Sequence, residues 1–174
     1  MKLYLSRSLL VLLSGWLLVA GVAPGSAAAQ DGLFGIRVAG SFLAELELTG
    51  PSGEEFAIQA LATLGADGGA VATDTDDFGF GTGTFFHSPK QGAWKRTGRR
   101  AVSITLLEFA YDEAGALTTI YKLVFDGRFD DRNLNTGRGT VTLDAFLPTQ
   151  NPLDPDQDPV ASGAGTFSVE RIKP

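Results

Sequence analysis

The stretch that decides the fold is Leu117–Phe129, which reads LTTIYKLVFDGRF. Apolar and polar side chains alternate along it with a period of two, which is typical of a β-strand with one face on a core. Residues 112–115 before it and 130–135 after it are rich in turn-forming residues. The predicted inward face carries Leu117, Tyr121, Leu123, Phe125 and Phe129, and the outward face carries Thr118, Lys122, Asp126 and Arg128.

Similar alternation recurs along the chain, beginning with a strand predicted over residues 34–48. We count about eight consecutive strands joined mostly by short turns, and expect no helix longer than about two turns. An open sheet would leave the apolar faces in water, whereas closing the sheet buries them and removes its edges. The sequence therefore predicts an all-β fold, a small antiparallel up-and-down barrel of about eight strands, with a two-sheet β-sandwich as the alternative. Inward glycines that fit the bends of a small barrel are Gly40, Gly127, Gly139 and Gly165.

The N-terminus has the three parts of a secretory signal. Lys2 and Arg7 give a positive start, an apolar stretch covers residues 9–22, and Ala27 and Ala29 form a small-residue cleavage box. The apolar stretch is shorter than the ~20 residues that span a bilayer. We therefore predict a signal peptide over residues 1–29 and a single exported domain, periplasmic or secreted, over residues 30–174, with no membrane span in the mature form.

Composition excludes several classes of function. The chain has no Cys and only one His. It therefore has no thiol for catalysis and too few Cys and His ligands for a zinc or copper site. An exported domain without disulfides favours a bacterial source. The formal charge is -6, and loss of Lys2 and Arg7 with the signal leaves -8. An acidic balance disfavours nucleic acid as a partner. We expect no cofactor and no metal, including at the acidic loop of residues 154–159, which lacks the glycine and closing glutamate of a calcium loop.

The segment His87-Ser88-Pro89-Lys90-Gln91-Gly92-Ala93-Trp94-Lys95-Arg96-Thr97-Gly98 resembles a motif of uncharacterised exported bacterial proteins, H-S-P-x-x-G-x-W-x-R-T-G. In those proteins a Phe-rich strand and a Tyr-Asp-x-x-Gly hairpin follow, and residues 111–115 match that hairpin. The resemblance implies a calycin-like barrel, similar to lipocalins, which enclose small hydrophobic molecules. In such a barrel, Trp94 stacked with Arg96 would plug one end.

The candidate ligand site lies at one end of the barrel, under the Gly- and Phe-rich segment of residues 78–86. That segment either covers a ligand or folds down to fill the lumen. Strand phase predicts that Glu108 points outward if Phe109 points inward, and Tyr121 is expected to give the ligand a hydrogen bond. The predicted ligand-binding residues are Phe85, Phe109, Tyr121, Leu123 and Phe125.

Three functions stay open from the sequence. The first is the binding of a small apolar molecule. The second is a cofactor-free enzyme of the cyclase or isomerase type in the same barrel, and the third is an interaction domain with a filled core. The chain has no recognisable catalytic constellation, since His87 is next to Ser88 but no nucleophile elbow surrounds them. A buried ionisable residue in the lumen would favour the enzyme over the carrier.

Overall fold

The computed structural model describes residues 25–50, 53–75 and 86–173, with side chains from residue 32 onward. These ranges contain one helix and nine strands. Their bounds are α1 Gly25–Val38, β1 Gly40–Thr49, β2 Glu55–Leu64, β3 Gly69–Asp74, β4 Phe86–His87, β5 Lys90–Arg96, β6 Ala101–Tyr111, β7 Leu117–Phe129, β8 Thr136–Phe146 and β9 Ala161–Arg171.

Eight of the strands form a closed antiparallel barrel. These are all the strands except β4, and each pairs with the following barrel strand, so that β3 pairs with β5 and β6 pairs with β7. The last strand, β9, pairs with β1 and closes the barrel. The short strand β4 is extra and pairs with the end of β6 beyond the point where β5 begins. The predicted up-and-down barrel is thus confirmed, and the sandwich is excluded because the sheet closes on itself.

The first predicted strand is wrong in its N-terminal part, because residues 25–38 form the helix α1 and β1 begins at Gly40. The helix has 14 residues, so the expectation of no helix longer than two turns is also wrong. Phe34, Ile36 and Val38 fit a period of two, but Phe34 and Val38 are also spaced i, i+4 on one helix face. Those two are buried, while Ile36 is 68% exposed.

The helix closes one end of the barrel, called here the helix end. Phe34 packs edge-on against Trp94 at 6.2 Å between ring centroids, and the guanidinium of Arg96 lies 4.7 Å above the Phe34 ring. Both predicted plug residues therefore contact Phe34. Trp94 is half-buried and its Nε1 donates a hydrogen bond of 2.8 Å to the carbonyl of Gly65.

Arg171, at the end of β9, fixes the C-terminus of α1. Its guanidinium donates to the carbonyls of Arg37, Val38 and Ala39, at 3.0, 3.1 and 2.8 Å, and lies 4.6 Å from the centre of the Phe42 ring. A cation at these carbonyls satisfies acceptors that the helix leaves unpaired.

No helix in the described ranges is long and apolar enough to cross a membrane.

The middle of the barrel is filled by aromatic side chains. Phe125 packs edge-on against Phe167 at 5.4 Å. Gly127 and Gly139 are register partners, and a Cβ on either would come within 2.8 Å of the Phe167 ring. Two of the predicted inward glycines therefore make room for this ring. Two voids beside it are small, about 40 and 60 Å³.

Candidate functional site

A larger cavity of about 250 Å³ lies at the opposite end of the barrel, called here the cavity end. At this end β1 and β8 finish and β2 and β9 begin. The residues that flank the undescribed segment 76–85 also lie here, since β3 ends at Asp74 and β4 begins at Phe86. The cavity is lined by Leu46, Leu48, Glu54, Phe56, Ile58, Asp74, His87, Lys90, Glu108, Tyr121, Leu123, Leu143, Ala145 and Ala161.

The lining divides into an apolar wall and a polar wall. Strands β1, β2, β8 and β9 supply only apolar lining residues, and Glu54 stands just before β2 at the rim. Strands β3 to β7 supply five ionisable side chains and one buried leucine. The polar wall consists of Asp74, His87, Lys90, Glu108 and Tyr121.

A buried ion-pair network forms the base of the polar wall. The Nζ atom of Lys90 lies 2.7 Å from Oδ2 of Asp74 and 2.8 Å from Oε1 of Glu108. All three side chains are at most 6% exposed. Taking such charges out of water costs several kcal/mol per ion, so they are tolerated only when paired at close range. Each carboxylate here shares the single ammonium, which fixes the position of Glu108.

Glu108 also holds His87. Oε1 of Glu108 lies 2.9 Å from Nδ1 of His87, whose side chain is 19% exposed. The hydrogen bond and negative charge of Glu108 raise the pKa of His87 above its usual value, against the opposing effect of burial. With His87 neutral, the network of two carboxylates and one ammonium has a net charge of -1, and protonation of His87 neutralises it.

Tyr121 stacks on the imidazole of His87. The two ring centroids are 5.8 Å apart and the planes are within 9° of parallel. Burial, together with the charge of Glu108, raises the pKa of Tyr121, so its hydroxyl stays protonated and can donate. Because Nδ1 of His87 contacts Glu108, the other ring nitrogen, Nε2, is the one left for a ligand. In the described ranges every buried side-chain nitrogen or oxygen has a hydrogen bond, whereas Nε2 of His87 makes none. Nε2 is therefore accessible from the cavity or from solvent.

A break between β4 and β5 brings His87 and Lys90 to the same face. Residues three apart on a regular strand point to opposite faces. Here Ser88 and Pro89 interrupt the ladder, the amide of Ser88 donates to the carbonyl of Phe109, and the amide of Phe109 donates to Oγ of Ser88. The interruption shifts the phase by one residue, so both side chains enter the lumen.

Of the predicted ligand-binding residues, Tyr121 and Leu123 line the cavity. Phe125 lies deeper, beside the 60 Å³ void and against Phe167. Phe109 is 39% exposed on the outside of the barrel, so its predicted inward orientation is wrong. Phe85 lies outside the described residues.

The predicted outward orientation of Glu108 is also wrong, because the inward face of β6 is the one that carries Glu108 and not Phe109. Strand β6 carries apolar residues on both faces, and in the structure Val102, Leu106 and Ala110 are the buried ones. Glu108 belongs to their phase and is 4% exposed. The sequence signal that could have found it is the even spacing of these residues, together with two basic residues, His87 and Lys90, available as partners.

The acidic loop of residues 147–160 packs on the outside of the barrel. Nζ of Lys122 donates to the carbonyl of Pro152, and Pro152 is buried. Asp154 accepts from the amide of Asp156 and from Nε2 of Gln157. The carboxylate of Asp154 is thus used in local turns. In the described ranges, no three His, Asp or Glu side chains are placed to hold a metal ion.

No protein-family model, curated protein or solved structure matched this chain.

Proposed function

We propose that the protein binds a small molecule with a mainly apolar body and one polar group in the cavity at the cavity end of the barrel. The observation that carries this proposal is the division of the lining into an apolar wall and a polar wall. Ligand sites commonly pair apolar lining with a few polar groups that fix orientation. The apolar body would lie against Leu46, Leu48 and Leu143, and the polar group would face His87 and Tyr121.

The volume limits the size of the ligand. A dry apolar cavity of ~150 Å³ is sufficient for one benzene molecule. The 250 Å³ here suits a compound of about two fused six-membered rings. The aromatic filling between Phe125 and Phe167 closes the lumen below, so a long chain would not pass through the barrel.

Native mass spectrometry of the protein purified from its own host tests the binding proposal. We expect one small molecule per chain, released under denaturing conditions, with an apolar body and at least one oxygen. The neutral fluorescent probe N-phenyl-1-naphthylamine provides a second measurement on refolded, ligand-free protein. If the native mass equals that of the protein chain alone and the ligand-free protein takes up no probe, the proposal is wrong.

The compartment is part of the same proposal. We infer that the chain is exported and cleaved after Ala29, as the features of residues 1–29 suggest. Such cleavage would leave Phe34 and Val38, which close the helix end, in the mature domain. N-terminal sequencing of the protein from culture medium or periplasm should begin at Gln30, and a start at Met1 would contradict cleavage.

Catalysis is the second candidate function, and the buried ionisable groups favour it. A carrier of apolar molecules has no need of an ion-pair network in its lumen, because burying charges is costly. Perturbed ionisable groups inside a cavity are more typical of sites that move protons.

A further inference from the structure

We propose that His87 is a general base that moves a proton between two carbon atoms of an enolisable carbonyl compound bound in the cavity, with Tyr121 as the hydrogen-bond donor to the carbonyl oxygen. The protein would then be a cofactor-independent isomerase. This inference rests on the proposed binding function and adds the substrate class and the chemistry.

The geometry at His87 is that of an oriented base. A hydrogen bond from Nδ1 to Glu108 puts the proton of the neutral imidazole on Nδ1 and leaves the lone pair on Nε2. The carboxylate then stabilises the imidazolium that forms when Nε2 accepts a proton. Lys90 holds Glu108 in place through the contact of 2.8 Å between Nζ and Oε1. Glu108 and Lys90 are thus positioning residues, and His87 is the catalytic residue.

Tyr121 completes the site. Its ring is stacked on His87 at 5.8 Å, so its hydroxyl and the imidazole belong to one wall of the cavity. A neutral donor beside a base suits a carbonyl compound, because negative charge develops on the oxygen as the base removes the neighbouring proton. Thr119 shares a side-chain hydrogen bond with Tyr121 that lowers the pKa of Tyr121, as a donor to the tyrosyl oxygen does, so the Tyr121 proton stays available to the carbonyl oxygen.

The reaction balances without a cofactor or an oxidant. Nε2 of His87 takes the proton from the carbon next to the carbonyl, the C–H electron pair forms the carbon–carbon double bond of an enolate, and the carbonyl π pair moves to oxygen. The Tyr121 hydroxyl donates a hydrogen bond to that oxygen. When a C=C bond adjoins the acidic carbon of the substrate, the enolate is a dienolate. The proton then returns from Nε2 to the far carbon of that C=C bond, its π pair forms the new C–H bond, and the electron pair on oxygen restores the carbonyl, so that the product is the conjugated isomer of the substrate.

The direct test is deuterium exchange at the acidic carbon of 2-tetralone in D₂O, followed by proton NMR. This bicyclic ketone suits the cavity volume and has an enolisable CH₂ group. We expect wild-type protein to accelerate exchange over buffer by about 100-fold or more, as for other positioned general bases. His87→Gln should lose that acceleration, Tyr121→Phe should lower it roughly tenfold, and Phe109→Leu, on the outer face, should leave it unchanged.

Two further measurements separate catalysis from folding and from binding. Added imidazole should partly restore exchange in His87→Ala, which a merely structural role for His87 would not allow. Saturation-transfer NMR should show 2-tetralone bound by wild type and by His87→Gln alike. Exchange equal in these two proteins, with binding intact, would overturn proton transfer and leave the binding function standing. No binding of 2-tetralone by wild type would overturn both.

The pH profile provides a second signature. The base must be neutral, so the exchange rate should rise with pH and level off above the pKa of His87, which lies above ~6.5. In Glu108→Gln the midpoint should fall, because the main cause of the raised pKa is removed. A midpoint unchanged in Glu108→Gln would contradict the role of Glu108. The other charged or titratable groups at this wall are Asp74 on β3, Lys90 on β5, Tyr121 on β7 and Glu54 at the rim.

Discussion

The helix end and the cavity end of this barrel use the same strands in opposite ways. At the helix end, Phe34 and Val38 fill the lumen with apolar groups, and Arg171 lies outside that core on the helix carbonyls. At the cavity end, Lys90 and its two carboxylates are buried beside an unfilled space of about 250 Å³. The difference suggests that the first end mainly contributes stability and the second mainly contributes function.

The largest expected effect comes from Lys90→Met, which tests, together with a triple variant, whether the ion-pair network contributes net stability. Removing the ammonium leaves Asp74 and Glu108 buried next to each other, so we expect a loss of about 3–5 kcal/mol in the free energy of unfolding, measured by urea denaturation. The triple variant Asp74→Asn, Lys90→Met, Glu108→Gln removes all three charges and should recover most of that loss. A loss below about 1 kcal/mol in Lys90→Met would show that the network is not tightly coupled.

Val38→Ala tests the other end. Val38 is fully buried, and deleting two methyl groups there should cost about 2 kcal/mol in the free energy of unfolding. Because Val38 is remote from the cavity, the affinity for N-phenyl-1-naphthylamine should stay within twofold of wild type. A tenfold loss of affinity with the fold intact would mean that the two ends are not independent.

The stability of the cavity end should depend on pH through His87. Its pKa is raised in the folded state, so its contribution to stability is fully present below the unfolded value of ~6.5. That contribution is lost as the pH rises through the folded pKa. Urea denaturation between pH 5.5 and 8.5 should show this decline in wild type and a flatter profile in His87→Gln. Identical profiles would contradict the raised pKa.

Phe109→Ala should have the smallest effect. Phe109 is 39% exposed on the outer face, so we expect a stability loss of less than about 1 kcal/mol and no change in probe affinity. A clear loss of probe affinity, measured by fluorescence titration, would place Phe109 in the wall of the site after all.

The barrel could be predicted from the sequence because period-two alternation is strong in β7 and repeated in its neighbours. The helix could not be predicted from alternation, because Phe34 and Val38 fit both the strand period and the helix period, and Ile36 between them fits the strand period alone. Tertiary packing favours the helix over a strand here, because the helix places Phe34 against Trp94 and Arg96. These contacts join residues about 60 positions apart, so the local sequence pattern does not predict them.

The site was predictable only in part. Tyr121 and Leu123 were found because β7 has one clear apolar face. The ion-pair network was missed for two reasons. Strand β6 is apolar on both faces, so its phase is ambiguous, and the break at Ser88 and Pro89 changes the phase between His87 and Lys90. Neither effect can be derived from alternation alone.

The most direct test of the central claim is to fill the cavity from its wall. Ala145 faces the cavity, whereas Ala164 is exposed on the outside of β9, so Ala145→Phe and Ala164→Phe add the same side chain inside and outside. Titration with N-phenyl-1-naphthylamine should show binding to wild type and to Ala164→Phe, and at least tenfold weaker binding to Ala145→Phe. Equal affinity of all three folded proteins would contradict a ligand site in this cavity.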